Sequence, residues 1–188
     1  MPAPTPVPSP EPMPPVESSN FLVNRLGKTV IQTLISNGGT ILTNLRRIVG
    51  QTFTSRAQSQ TLNYIEINVQ NNPFTKLEKT PLEMTIYPTN PDHTPSRSLL
   101  LSKTLDIANG FDGIIRFDNL DITLAPNTEY VVVFSCPEPP KNEENAVRWY
   151  VSDQTTPLTP PLYQVVSSNG STWQVTKDQF LTMAVNVK

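Results

Sequence analysis

Ile65-Glu66-Ile67-Asn68-Val69-Gln70 sets an apolar residue at every second position with a polar one between. Side chains alternate between the two faces of a β-strand, so a period of two marks a strand with one face toward a core and the other toward water. The pattern returns at Leu82, Met84 and Ile86, where Tyr87-Pro88 ends it. It returns again at Ile115 and Phe117 after an Asn109-Gly110 turn, and at Leu181, Met183, Val185 and Val187. Tyr130-Val131-Val132-Val133-Phe134 is apolar throughout, with Tyr130, Val132 and Phe134 on one face and Val131 and Val133 on the other. A strand covered on both faces is expected in the middle of its sheet. Val147, Trp149 and Val151 follow a polar loop over 137–145, and Trp149 is expected in the core. Tyr163 and Val165 lead through an Asn169-Gly170 turn to Trp173 and Val175.

Short strands at this spacing, parted by Pro, Asn and Gly, predict an all-β fold: an antiparallel, jelly-roll-like β-sandwich over residues 21–188. Residues 28–50 fit two patterns. Val30/Ile31/Leu34/Ile35 and Ile41/Leu42/Leu45/Ile48/Val49 have helical spacing. Thr29, Thr33, Thr40 and Thr43 and the Asn37-Gly38-Gly39 break suit two strands joined by a hairpin turn, and that reading is preferred.

Residues 1–20 are a separate element. Eight of the chain's 20 prolines fall in its first 15 residues: Pro2, Pro4, Pro6, Pro8, Pro10, Pro12, Pro14 and Pro15. Each ring fixes φ and removes a backbone donor, which forbids both a helix and a central strand. Polyproline II remains, at ~3.1 Å per residue, so the arm could reach roughly 45 Å. It buries nothing on itself and is expected to act by docking on a partner; these prolines are the expected partner-binding residues. A tether or strap is preferred over an SH3-type ligand, because no Arg or Lys flanks the run.

Composition narrows the function classes. The chain is 37% hydrophobic and only 16% charged, with formal net charge −2, which speaks against a general nucleic-acid or anionic-membrane binder. Arg46-Arg47 is the one adjacent basic pair and reads as a solvated face. Cys136 is alone, so no intrachain disulfide forms; a buried thiol is expected. No basic and apolar leader precedes Phe21 and no run approaches the ~18 apolar residues of a membrane span, so synthesis in a cytoplasm is expected.

Chemistry-bearing residues are sparse. His93, in Asn90-Pro91-Asp92-His93-Thr94-Pro95, is the sole histidine and cannot build a multi-histidine metal site. No Gly-x-Ser-x-Gly elbow accompanies it, so an exposed loop residue is expected rather than a catalytic base. Glu143-Glu144 and Asp118/Asp121 read as solvated carboxylates rather than a glycosidase pair. Asp112, Asp118 and Asp121 lack the spacing of a calcium loop, and the seven glycines form no phosphate loop. Trp173 and Tyr163 are the possible ligand-stacking residues, as for a sugar. No catalytic residue, metal or cofactor is expected.

Several elements occur in the order of one family. Leu22-Val23-Asn24 with Leu26-Gly27, Gln51-Thr52-Phe53-Thr54, Leu62 and Ile65, Thr85-Ile86-Tyr87, the Leu124-to-Tyr130 element and Trp149 resemble choice-of-anchor R, a family of bacterial surface domains. The resemblance spans roughly residues 21 to 188 and implies a jelly-roll-like sandwich without known catalysis. Its members usually carry an export signal and a C-terminal anchor, for which this sequence has the proline arm instead. A surface-type sandwich without sorting signals is similar at the level of fold to phage decoration proteins. The expectation is a non-enzymatic structural protein that decorates or cements a large assembly, most plainly a phage capsid, strapped on by its arm. The expected partners are virion subunits and a second copy of the chain as a homodimer, with neither nucleic acid nor membrane. The expected location is the virion, made in a host cytoplasm. The alternative is a carbohydrate- or cell-surface-binding sandwich module on a cell surface.

Overall fold

The computed structural model describes residues 29–32, 41–44, 48–71, 78–137, 147–151 and 160–188, the first two stretches as backbone alone. In chain order the strands are β1 (Thr29–Gln32), β2 (Ile41–Asn44), β3 (Ile48–Thr54), β4 (Gln60–Asn71), β5 (Lys79–Pro88), β6 (Leu101–Ala108) and β7 (Asp112–Phe117). They continue as β8 (Ile122–Leu124), β9 (Glu129–Ser135), β10 (Val147–Tyr150), β11 (Tyr163–Ser167), β12 (Gln174–Lys177) and β13 (Met183–Val187). Among the described residues the fold is all-β, two antiparallel sheets facing each other, as the alternation predicts.

One sheet runs β12-β11-β3-β9-β5-β6. The other runs β1-β13-β4-β10-β2, with β7 and β8 also on β4. β4 is its spine: Ile65 pairs with Val185 on one side and Phe117 on the other, and Val69 pairs with Trp149 and Gly113 in the same way. The chain passes repeatedly from sheet to sheet, so strands adjacent in space are distant in sequence, as in a jelly roll.

The expected core residues occupy the space between the sheets. Ile65, Ile67, Val69, Leu82, Met84, Ile86, Tyr130, Val132, Phe134, Val147, Trp149, Leu181, Met183, Val185 and Val187 form one buried cluster. Phe134 lies edge-on to Trp149 at 4.8 Å and 5.6 Å from Phe117, while the Trp149 indole N–H donates to the Thr182 carbonyl at 2.8 Å. β9 is central, between β3 and β5, and its other face carries Val131 and Val133 into a second cluster with Val165.

Two expectations are corrected. Thr29–Gln32 and Ile41–Asn44 are strands, as preferred, but they do not form a hairpin with each other: β1 pairs β13 and β2 pairs β10. The turn signal is local, and pairing with long-range partners outweighs it; Asn37-Gly38-Gly39 itself lies outside the described residues. Glu66, on the face read as solvated, is only 4% exposed. Arg116, opposite it on β7, donates through Nε to its carboxylate at 2.7 Å and through a second nitrogen, and also lies over the Tyr64 ring at 4.3 Å. A carboxylate leaves water only when such charge-assisted bonds replace its hydration.

Candidate functional site

The arm prolines, Pro2 to Pro15, lie outside the described residues, as do Glu143 and Glu144. Of the other expected site residues, Tyr163 begins β11 on the outer face of the six-stranded sheet, away from the inter-sheet core. Its backbone is fixed from two sides: its N–H donates to Thr52 Oγ1 at 2.8 Å, and its carbonyl accepts from buried Gln51 at 3.1 Å. Its ring stacks on His93, centroids 3.6 Å apart and planes 13° from parallel.

His93 is therefore not the exposed loop residue expected. It is half-buried and sits at φ 66°, in the left-handed region. The loop around it is self-braced: the Asn90 N–H donates to the Thr94 carbonyl at 2.8 Å, and the Thr94 hydroxyl donates to Asp92 at 2.6 Å. Those Thr94 hydrogen bonds hold the Asp92 carboxyl below its ordinary range. The loop turns the imidazole back over the sheet, where Nδ1 meets Glu129 Oε2 at 2.8 Å; the Thr89 hydroxyl donates to the same oxygen at 2.9 Å. His93, Glu129 and Tyr163 thus converge from 36 and 70 residues apart (129 − 93 and 163 − 93).

An imidazole oriented by a carboxylate is two-thirds of a nucleophilic triad, but the third member is missing among the described residues: no hydroxyl or thiol is hydrogen-bonded to His93. Cys136 is buried elsewhere, and burial pushes its thiol up to about 11, so at neutral pH it is protonated and unreactive. The cluster braces a loop against the sheet. His93→Ala is accordingly expected to cost about 1–2 kcal/mol, combining a charge-assisted hydrogen bond and a ring stack discounted for partial exposure. Urea unfolding of H93A, E129Q and the double variant reads the coupling; additive effects would mean that the pair does not hold the loop.

Trp173 packs on Val131, Val133 and Val165 together with Ile48 and Tyr87. It shares the outer face with Tyr163 but not a platform. Tyr163 pairs with Lys177, so Trp173 lies roughly 13 Å further along the β11–β12 pair, and one face of Tyr163 is already covered by His93. A recess of about 280 Å³ is lined by Val166, Ser167, Ser168, Thr172 and Gln174. Its polar groups serve the adjacent turn: Ser167 Oγ accepts from Gly170 at 2.8 Å, and Asn169 Oδ1 accepts from Ser171 and Thr172 at 2.9 Å.

The three aspartates do not gather. Asp112 accepts from Tyr150 at 2.8 Å and Gln70 at 3.1 Å, Asp118 lies 3.9 Å from Arg116, and Asp121 pairs with Lys188. Burial, then the bond to Asp112, pushes the Tyr150 hydroxyl up to about 12. Among the described residues no three His, Cys, Asp or Glu side chains stand close enough to hold a metal. No helix there is long and apolar enough to cross a membrane.

No protein-family model matches this chain, and no curated protein matches it. The likeness to choice-of-anchor R rests on the quoted residues alone.

Proposed function

We propose that this chain is a non-enzymatic structural protein that decorates or cements a large assembly, such as a phage capsid, with residues 1–20 as the strap. The observation that carries this reading is the alternating proline run joined to a sandwich. A segment stiffened at every second residue loses little conformational freedom on docking, yet it contacts a long path, so its binding free energy is not consumed by ordering. The sandwich complements it as a body: Trp149 and Gln51 through buried hydrogen bonds, and Tyr163 through a partly buried one, tie together strands distant in sequence, and the His93 cluster stiffens a surface loop.

The arm has no core-forming periodicity, so removing residues 1–17 is expected to shift Tm by less than about 1 °C, under the roughly 2–4 °C that a ~1 kcal/mol loss causes in a domain of this size. Occupancy on the assembly should fall at least tenfold, the equivalent of about 1.4 kcal/mol. Calorimetry and quantitative co-sedimentation check the two halves. A large fall in Tm would show that the arm packs on its own sandwich.

The second reading is a carbohydrate- or cell-surface-binding module, favoured by Tyr163 and Trp173 sharing one outer face. Their separation calls for an oligosaccharide rather than a single sugar ring. Retention on a glycan array, lost in Y163A and W173A alike, would favour it over the strap.

A further inference from the structure

We infer that the arm docks by adding as a strand to the open edge of β6 in a second copy of this chain, and that its proline spacing limits the addition to one strand. The inference rests on the strap reading and names the strap's partner.

The edge is the first observation. β6 ends the six-stranded sheet and pairs with β5 alone among the described residues. At eight residues it is the longest edge strand described, about 26 Å of backbone whose outward N–H and C=O groups invite pairing. It contains no proline, and its register with β5 is unbroken from Lys79↔Ala108 to Ile86↔Leu101. Its inward lysine, Lys103, is already bonded to the Asp118 carbonyl. Just before it stand Leu99 and Leu100, 52% and 40% exposed, the two most exposed large apolar residues described.

The arm's spacing is the second observation. In a strand, the N–H and C=O of one residue point to the same side, and those of the next residue to the other. With prolines at positions 2, 4, 6, 8, 10, 12 and 14, all the donors, from Ala3, Thr5, Val7, Ser9, Glu11 and Met13, lie along one edge. The opposite edge carries proline carbonyls and no donor at all. Such a segment can pair on one side only, and once paired it offers no complete ladder to a further strand. Val7 and Met13 lie on one face of such a strand, about 20 Å apart, so one of them supplies an apolar side chain at the Leu99-Leu100 end of β6.

The sandwich already uses this rule. Pro81 and Pro88 are the prolines inside described strands, and each sits where β5 pairs with a single strand: Pro81 pairs with Asp106 of β6, and Pro88 pairs with Tyr130 of β9 while its carbonyl also accepts from the Ser96 N–H at 2.9 Å. A proline needs one side on which no N–H donor is called for. The arm repeats that condition at every second residue, and β6 offers the matching edge. Passed from copy to copy, the contact is head-to-tail and would join copies in a ring or an open row, with each docked arm leaving no adhesive edge behind.

The test compares the full-length chain with the full-length variant Thr5→Pro/Val7→Pro/Ser9→Pro, by amide hydrogen exchange over residues 101–108 at two protein concentrations and by sedimentation. The variant loses the donors in the middle of the arm but keeps its polyproline character. The expected result is that alternate β6 amides of the native chain exchange at least about tenfold more slowly at high than at low concentration, alongside self-association, and that the variant shows neither effect. Equal exchange in both chains would overturn the inference, as would protection in the variant, which would assign docking to polyproline II recognition. Protection unchanged by dilution would also overturn it, because the arm would then be folding onto its own sandwich. If β6 stays unprotected while the arm is still required for particle occupancy, the strap reading stands and the β6 edge is not its site; loss of both removes both.

Discussion

Phe134→Ala is expected to lower the free energy of unfolding by about 3–5 kcal/mol, the range for truncating a buried aromatic. Phe134 has no exposed surface and stands in the middle of the inter-sheet cluster, edge-on to Trp149 and tilted against Phe117. Its strand is flanked by β3 and β5, so the gap cannot be closed by moving an edge. Trp149 is itself held by its bond to the Thr182 carbonyl, which prevents the indole from sliding into the space. Urea unfolding should show a lower midpoint at unchanged m-value. A loss below about 1 kcal/mol would mean that the core relaxes around the cavity and that the interlock of rings is not what fixes the sandwich.

Gly50→Ala is expected to cost about 3 kcal/mol, through overpacking rather than loss of contacts. Gly50 lies on β3 between β9 and β11, with its missing side chain directed at the outer face. A Cβ there would stand 2.8 Å from the Val132 carbonyl oxygen, 2.8 Å from Val165 Cγ2 and 3.0 Å from Val131 Cγ2. The valines have few alternative rotamers and the carbonyl is part of the sheet, so strain has to pass into the backbone of two neighbouring strands. The pair G50A and V165A separates causes: V165A removes one of the two clashing methyl contacts and should recover part of the loss. An unchanged midpoint in G50A would show that the three strands lie further apart than described here.

The strands that decide the sandwich were legible because one face of each is buried and the other is not. β5 shows this directly and β4 in most of its length; β13 is covered on both faces, but Met183, Val185 and Val187 still alternate with Ala184 and Asn186, and β9 reads as central because both its faces are apolar. β6 escaped the same reading because Lys103 occupies an inward position and breaks the alternation of Leu101, Leu105 and Ile107. β8 has only three residues, too few to establish a period. Glu66 alternates as an exposed residue should; its burial comes from Arg116 on β7 and Tyr64, and pairing of that kind leaves no local trace.

The candidate site was less legible. Tyr163 and Trp173 stand out in the sequence as aromatics near a turn, and the strand register keeps them apart on their shared face. The proline-bounded loop around His93 is all that the sequence shows of its setting. What brings it onto Glu129 and Tyr163 is the order β11-β3-β9-β5, in which β9 and β11 enter the same sheet from distant parts of the chain. No spacing in the sequence encodes that order.

The proposed role makes this chain a fixed component of a large particle. Its most direct test is quantitative mass spectrometry of particles purified on a density gradient from lysates of the cells that make the chain. The chain is expected to co-migrate with the major particle subunit at a constant ratio through repeated banding. Absence from the particle fractions, with the chain recovered instead as a free species or on cell-surface glycans, would contradict it.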